Sequence, residues 1–136
     1  MDTDEIPDLR VGVGPRVLYK AETERIIGFA FTVLNEIGHG LNEKVYEKAL
    51  TVLFKLDGVA YDQQRRFPVL FRGVEVGEFL PDLIAFNSII VDTKVIDRIT
   101  DHERGQMLNY FRIAKLRVAL LLNFKNPRLE FERVVL

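Results

Sequence analysis

Pro81-Asp82-Leu83-Ile84-Ala85-Phe86-Asn87-Ser88-Ile89-Ile90-Val91-Asp92-Thr93-Lys94 reads as two apolar strand segments joined by a turn signal, with a charge-bearing group at each outer end. Asp92 and Lys94 are one residue apart, so on a strand they share a face, while Thr93 points away and offers its carbonyl. Two carboxylates from adjacent strands can hold a hard cation such as Mg²⁺, and a nearby ammonium can orient a water or offset charge on a phosphoryl group.

The turn decides whether these groups meet. A two-residue turn at Asn87-Ser88 pairs Asp82 with Thr93 and sends Asp82 to the face opposite Asp92 and Lys94. A three-residue turn at Asn87-Ser88-Ile89, pairing Asp82 with Lys94, or a bulge in either strand, returns all three to one face. The competing account is that Pro81-Asp82 breaks a strand and that Asp92 and Lys94 are a solvent-facing charge pair. Against it, both aspartates abut strongly apolar sequence, where an unpaired carboxylate is costly to desolvate.

Upstream, β-branched and aromatic residues with a turn at Arg72-Gly73 extend the pattern to three antiparallel strands, about 59–71, 74–86 and 89–95, a meander. Two helices precede it. Ile26, Ala30, Val33 and Ile37 line one helical face, and Gly38 and Gly40 stop that helix. A second helix, about 42–56, sets Tyr46, Ala49, Leu50 and Leu53 on one face and ends at Asp57-Gly58, where glycine takes the left-handed cap. Downstream, Thr100 and Glu103 form a capping-box signature for a helix to about Ala114. Val118–Leu122 reads as a strand buried on both faces, and a last strand lies near Leu129 to Val135. Residues 1–20 sustain no periodicity and read as a loose arm, so the domain is 21–136.

The whole is an α/β domain with a central mixed sheet. Its 136 residues, 48% hydrophobic, suffice for one core. With 29% charged residues and net charge -1, any anion-binding surface is local. The absence of cysteine excludes disulfides, thiolate zinc, iron–sulfur clusters and cysteine nucleophiles. No apolar run approaches the roughly 20 residues of a membrane span, and the acidic N-terminus is no secretory signal, so a cytoplasmic location is the expectation.

Pro81-Asp82 with Asp92-Thr93-Lys94 resembles the signature of the PD-(D/E)XK nuclease superfamily. Gly40-Leu41-Asn42-Glu43-Lys44-Val45-Tyr46 matches the motif that names its GxxExxY family, a bacterial and archaeal group. His102–Tyr110 also resembles that family's helix, with the Gln-three-Tyr pattern of RecB-like nucleases. The resemblance spans roughly Glu22 to Leu136 and implies a restriction-endonuclease-like core and metal-dependent phosphodiester hydrolysis. It implies Asp82 and Asp92 as ligands of Mg²⁺, or Mn²⁺ in its place, with the Thr93 carbonyl joining them and Glu43 completing the set directly or through water. Lys94 serves the attacking water or the developing charge, and Gln106 and Tyr110 face the nucleic acid or brace the strands. DNA is expected ahead of RNA, and dimerisation would add substrate surface. The aspartate at position 92, where glutamate is frequent in the family, draws a carboxylate back by about one bond length.

Other assignments compete with these. A module that binds nucleic acid or a partner on the same fold, without turnover, is the alternative function. Glu43 also suits the positive end of a helix dipole. Tyr46, on an apolar stripe, reads as core with a satisfied hydroxyl. His39 and His102 lie in no metal-ligand spacing. Arg65, Arg66, Arg98, Arg104, Arg112, Lys115 and Arg117 read either as phosphate contacts or as solvated charges.

Overall fold

The computed structural model describes residues 18–136; the N-terminal arm expected over residues 1–20 lies almost wholly outside them. In chain order the elements are α1 (Lys20–Ile37), α2 (Glu43–Leu56), β1 (Tyr61–Gln63), β2 (Phe67–Phe71), β3 (Val74–Phe79), β4 (Leu83–Ala85), β5 (Ile89–Lys94), α3 (Asp101–Ala114), β6 (Val118–Asn123) and β7 (Glu130–Val135). Five strands form one mixed sheet in the order β1-β4-β5-β6-β7, and β2 and β3 form a separate hairpin. β5 and β6 run parallel, so the chain must cross over between them, and α3 is that crossover.

Period-two alternation divides the interior. Leu83, Ala85, Ile89, Val91, Val118, Leu120 and Leu122 pack with Ile26, Ala30, Val33, Tyr46, Leu50 and Phe54 of α1 and α2. Ile90, Ala119, Leu121 and Val134 pack with Met107 and Phe111 of α3 and with Phe79. β6 is buried along its whole length, as a strand covered on both faces requires, and each large aliphatic there contributes roughly 1.5–3 kcal/mol of burial. Ile37, expected on the α1 stripe, sits at the helix end and is exposed.

Local signals set the helix ends. Asn42 caps α2 by accepting from the Lys44 amide, and Gly58 takes φ +70 just beyond its C-cap. At α3 both halves of the Thr100–Glu103 capping box are formed.

The meander is corrected in two places. The strand expected over 59–71 breaks at Gln64, which sits at φ +57, and only its first part, β1, joins the main sheet by pairing with β4. The strand expected over 74–86 breaks at Leu80–Asp82, because Pro81 has no N–H for a ladder and confines its predecessor. The segment between the breaks folds on itself as the β2–β3 hairpin, turning at Arg72-Gly73 with both residues at positive φ.

Candidate active site

The β4–β5 register supplies the irregularity the site needs, with a three-residue loop one residue earlier than the Asn87-Ser88-Ile89 turn expected from sequence. Ala85 pairs with Ile89 and Leu83 with Val91, so the loop is Phe86-Asn87-Ser88. Phe86 and Asn87 both take positive φ, and the Ser88 amide donates to the Ala85 carbonyl at 3.1 Å. Continued by one residue, this register sets Asp82 opposite Asp92. Asp92 and Lys94 alternate with Thr93 and so share the α3 face with Ile90, and Asp82, just ahead of β4, lines the same cavity at the sheet edge.

β4 begins at Leu83, which leaves the end of β5 without a strand neighbour on that side. The Asp82 carboxylate fills the place: its Oδ2 accepts from the Thr93 amide at 3.0 Å and from the Thr93 hydroxyl at 3.1 Å. The Lys94 carbonyl points the other way and accepts from the Phe124 amide. Carbonyls alternate along a strand, so the Thr93 carbonyl faces the same open edge as Asp82.

The Lys94 ammonium lies 3.3 Å from Asp92 Oδ2, with about a fifth of each side chain exposed. Burial, with a further push from the neighbouring Asp82 carboxylate, raises Asp92 to about 7, and Lys94 offsets only part of this. For Lys94, burial acts to lower its pKa, but Asp92 foremost, then Glu43 and Asp82, outweigh burial and hold it above its ordinary value. Two carboxylates crowded against one ammonium leave the cluster short of positive charge.

Glu43 arrives from the first turn of α2, and its Oε2 accepts from the Val95 amide just past β5 at 3.3 Å. The loop before it is pinned by the residues around it. Tyr46 is buried and stacks on Phe124 with ring centroids 4.2 Å apart. Its hydroxyl donates to the Gly38 carbonyl at 2.8 Å and accepts from the Leu41 amide at 3.0 Å. Gly40 takes φ +77 while its amide donates to the Phe124 carbonyl. Gly40 and Tyr46 thus build the turn that aims Glu43, and the core reading of Tyr46 holds.

All six catalytic or substrate-facing candidates, Glu43, Asp82, Asp92, Lys94, Gln106 and Tyr110, line one cavity of about 330 Å³. Gln106 and Tyr110 come from α3. Burial first, and then the Asp92 charge, raise the Tyr110 phenol, with a hydrogen bond to Gln106 acting the other way. Tyr110 stacks on Phe79 at 3.8 Å, so the base of the hairpin forms a wall of the site. A second cleft of about 400 Å³ shares Glu43 and Asp82 and extends past Lys44 and Glu47.

None of the arginines singled out from sequence lines either cleft. Arg66 is held by Glu75 and Glu78, Arg104 by Glu132 and Asp101, and Arg65 by Asp62. His39 lies at the surface against the Lys125 carbonyl.

Sequence reasoning passed over Glu47, which is 1% exposed. It accepts from Gln63 at 2.7 Å and from Lys44 at 3.0 Å, and Gln64 lies just beyond at 3.4 Å. The Gln64 amide in turn donates to the Asp82 carbonyl at 3.2 Å. The available signal was its spacing, one helical turn beyond Glu43 on the same face.

Among the described residues, no three or more His, Cys, Asp or Glu side chains are gathered closely enough to form a metal cage. What is present is a carboxylate pair, a strand-edge carbonyl and a third carboxylate turned to a backbone amide. That set fits a Mg²⁺-type ion, which keeps several waters and takes one or two carboxylates.

A family model described as the PD-(D/E)XK nuclease superfamily matches residues 20–134. The chain belongs to that superfamily. No curated protein matches this PD-(D/E)XK chain in sequence. Among solved structures, the crystal structure of SSO0001 shares its fold with a TM-score of 0.54 at 13% identity, over 86% of this chain and 59% of that one. The chain thus spans about three-fifths of that structure. Among the described residues no helix is long and apolar enough to cross a membrane.

Proposed function

We propose that this PD-(D/E)XK domain hydrolyses phosphodiester bonds of a nucleic acid, DNA ahead of RNA, with Mg²⁺ and with Mn²⁺ as a substitute. The observation that carries the reading is the convergence of Asp82, Asp92 and Lys94 on one cavity with Glu43 at its edge. The match of Gly40–Tyr46 to the GxxExxY pattern supports a narrower placement in that family.

Asp82, Asp92 and the Thr93 carbonyl would hold the ion, and Glu43, one oxygen of which is occupied by Val95, would meet it through water. The ion supplies Lewis-acid polarisation of the scissile phosphate and a more acidic water. Lys94, kept protonated by the surrounding carboxylates, offers charge to the phosphoryl oxygens as negative charge grows on them. Gln106 and Tyr110 present an amide and a phenol from α3 toward the polymer backbone.

The test is cleavage of labelled single- and double-stranded DNA and RNA with Mg²⁺, Mn²⁺ or EDTA, comparing wild type with Asp92→Ala and Lys94→Ala. Metal-dependent cleavage lost in both variants supports the reading; wild type inert on every polymer refutes it.

A second reading, a binding module on the same fold, draws on the hairpin. Leu70, Phe71, Val74 and Val76 are each more than 60% exposed there, an arrangement that two strands alone stabilise poorly. Under that reading Asp92→Ala leaves binding unchanged.

A further inference from the structure

We propose that the side chain of Thr93 is a positioning residue that holds Asp82 ready for the cation, an inference that rests on the metal-dependent reading above. The superfamily signature leaves this position open, and the strand reading assigned it only a carbonyl. Yet Thr93 is 1% exposed, on the face opposite Asp92 and Lys94, with its hydroxyl turned onto Asp82.

A buried strand amide with no strand neighbour needs an acceptor. Here the Thr93 amide takes Asp82 Oδ2, and the Thr93 hydroxyl donates to the same oxygen at 3.1 Å. The Gln64 amide already holds the Asp82 backbone through its carbonyl. What remains free is rotation of the Asp82 side chain, and two donors converging on one oxygen fix it, leaving Oδ1 for an ion.

The restraint opposes a specific force. Once Asp92 is ionised the two carboxylates repel, and without a cation a mobile Asp82 relaxes by swinging away from its neighbour. Two neutral donors keep it in place without cancelling its charge, so the binding geometry exists before the ion arrives. Valine at 93 has nearly the shape of threonine and keeps the amide bond, but removes the hydroxyl; serine keeps the hydroxyl.

The experiment is calorimetric titration of Mn²⁺ into wild type, Thr93→Val and Thr93→Ser without nucleic acid, with thermal melts in EDTA. The expected result is affinity about 10-fold weaker in Thr93→Val, restored to within about twofold in Thr93→Ser, with Thr93→Val still giving a single cooperative melt in EDTA. Should Thr93→Val fail to fold, Thr93→Ala removes the same hydroxyl without placing a methyl in the oxygen's position. Equal Mn²⁺ affinity in wild type and the variant lacking the hydroxyl overturns the role of Thr93 and leaves the metal-dependent reading standing. Absence of Mn²⁺ binding by wild type overturns that reading and the Thr93 role with it.

Discussion

The Lys94 ammonium stands 3.3 Å from the Asp92 carboxylate, yet Asp92 still titrates near 7 because burial and Asp82 outweigh that contact. The folded pKa lies above the unfolded value of about 4. The associated stability is therefore present below about pH 4 and is lost as pH rises through about 7. In EDTA, wild type is expected to lose on the order of 2–4 kcal/mol across that window through this one group. Asp92→Asn should flatten the pH dependence, and Mg²⁺ should raise the wild-type melting temperature more at pH 8 than at pH 5. Denaturant melts from pH 4 to 8 check this; equal slopes in the two proteins would reject it.

Lys94→Ala should separate chemistry from ion capture. Lys94 is not among the oxygen donors, so Mn²⁺ affinity should stay within a few-fold of wild type while cleavage falls by about 10²–10³-fold. Single-turnover rates at saturating metal, set beside calorimetric affinities, give both numbers. An equal loss in both would make Lys94 an organiser of the carboxylates.

Gly40 and Tyr46 should act on stability first. Tyr46→Phe removes the two part-buried hydrogen bonds of the Tyr46 hydroxyl, to the Gly38 carbonyl and from the Leu41 amide, for a loss of about 1–3 kcal/mol. Gly40→Ala meets no atom closer than the Lys125 carbonyl oxygen at 3.6 Å, so its loss of about 1–2 kcal/mol comes from the positive φ. Equilibrium unfolding measures both, and unchanged stability in Gly40→Ala would mean the turn tolerates a different backbone.

Phe79 ties the hairpin to the body by stacking between Phe67 and Tyr110. Phe79→Ala should destabilise by about 2–4 kcal/mol and increase hydrogen exchange in β2 and β3 before the main sheet. Polar replacements of the exposed Phe71 and Val76 should leave stability within about 0.5 kcal/mol. Exchange mass spectrometry on the three proteins discriminates; uniform exchange in Phe79→Ala would place the hairpin in the same cooperative unit as the sheet.

Much of this site was legible because its signals are local. The capping box at Thr100 and Glu103, the glycine after α2 and the continuous apolar run of β6 each specify their element within a few residues. So do the spacings of Asp92 with Lys94 and of Gln106 with Tyr110. Each candidate at those positions reached the shared cavity. The second half of the meander misled because β-forming residues flank Pro81 on both sides, and the break there divides the stretch 74–86 between two sheets.

By itself the sequence determined which candidate residues gather at one cavity, where the helices cap, and that one mixed sheet forms the core, since propensity, periodicity and capping act over a turn or a strand. Only the tertiary structure decided the odd-length Phe86–Ser88 loop that brings Asp82 to the cavity of Asp92. It also decided the departure of β2 and β3 from the sheet, the burial of Glu47 and the capture of Asp82 by Thr93. Those outcomes depend on strand parity and on desolvation by distant elements, and both are set by how α2, α3 and the sheet close on one another.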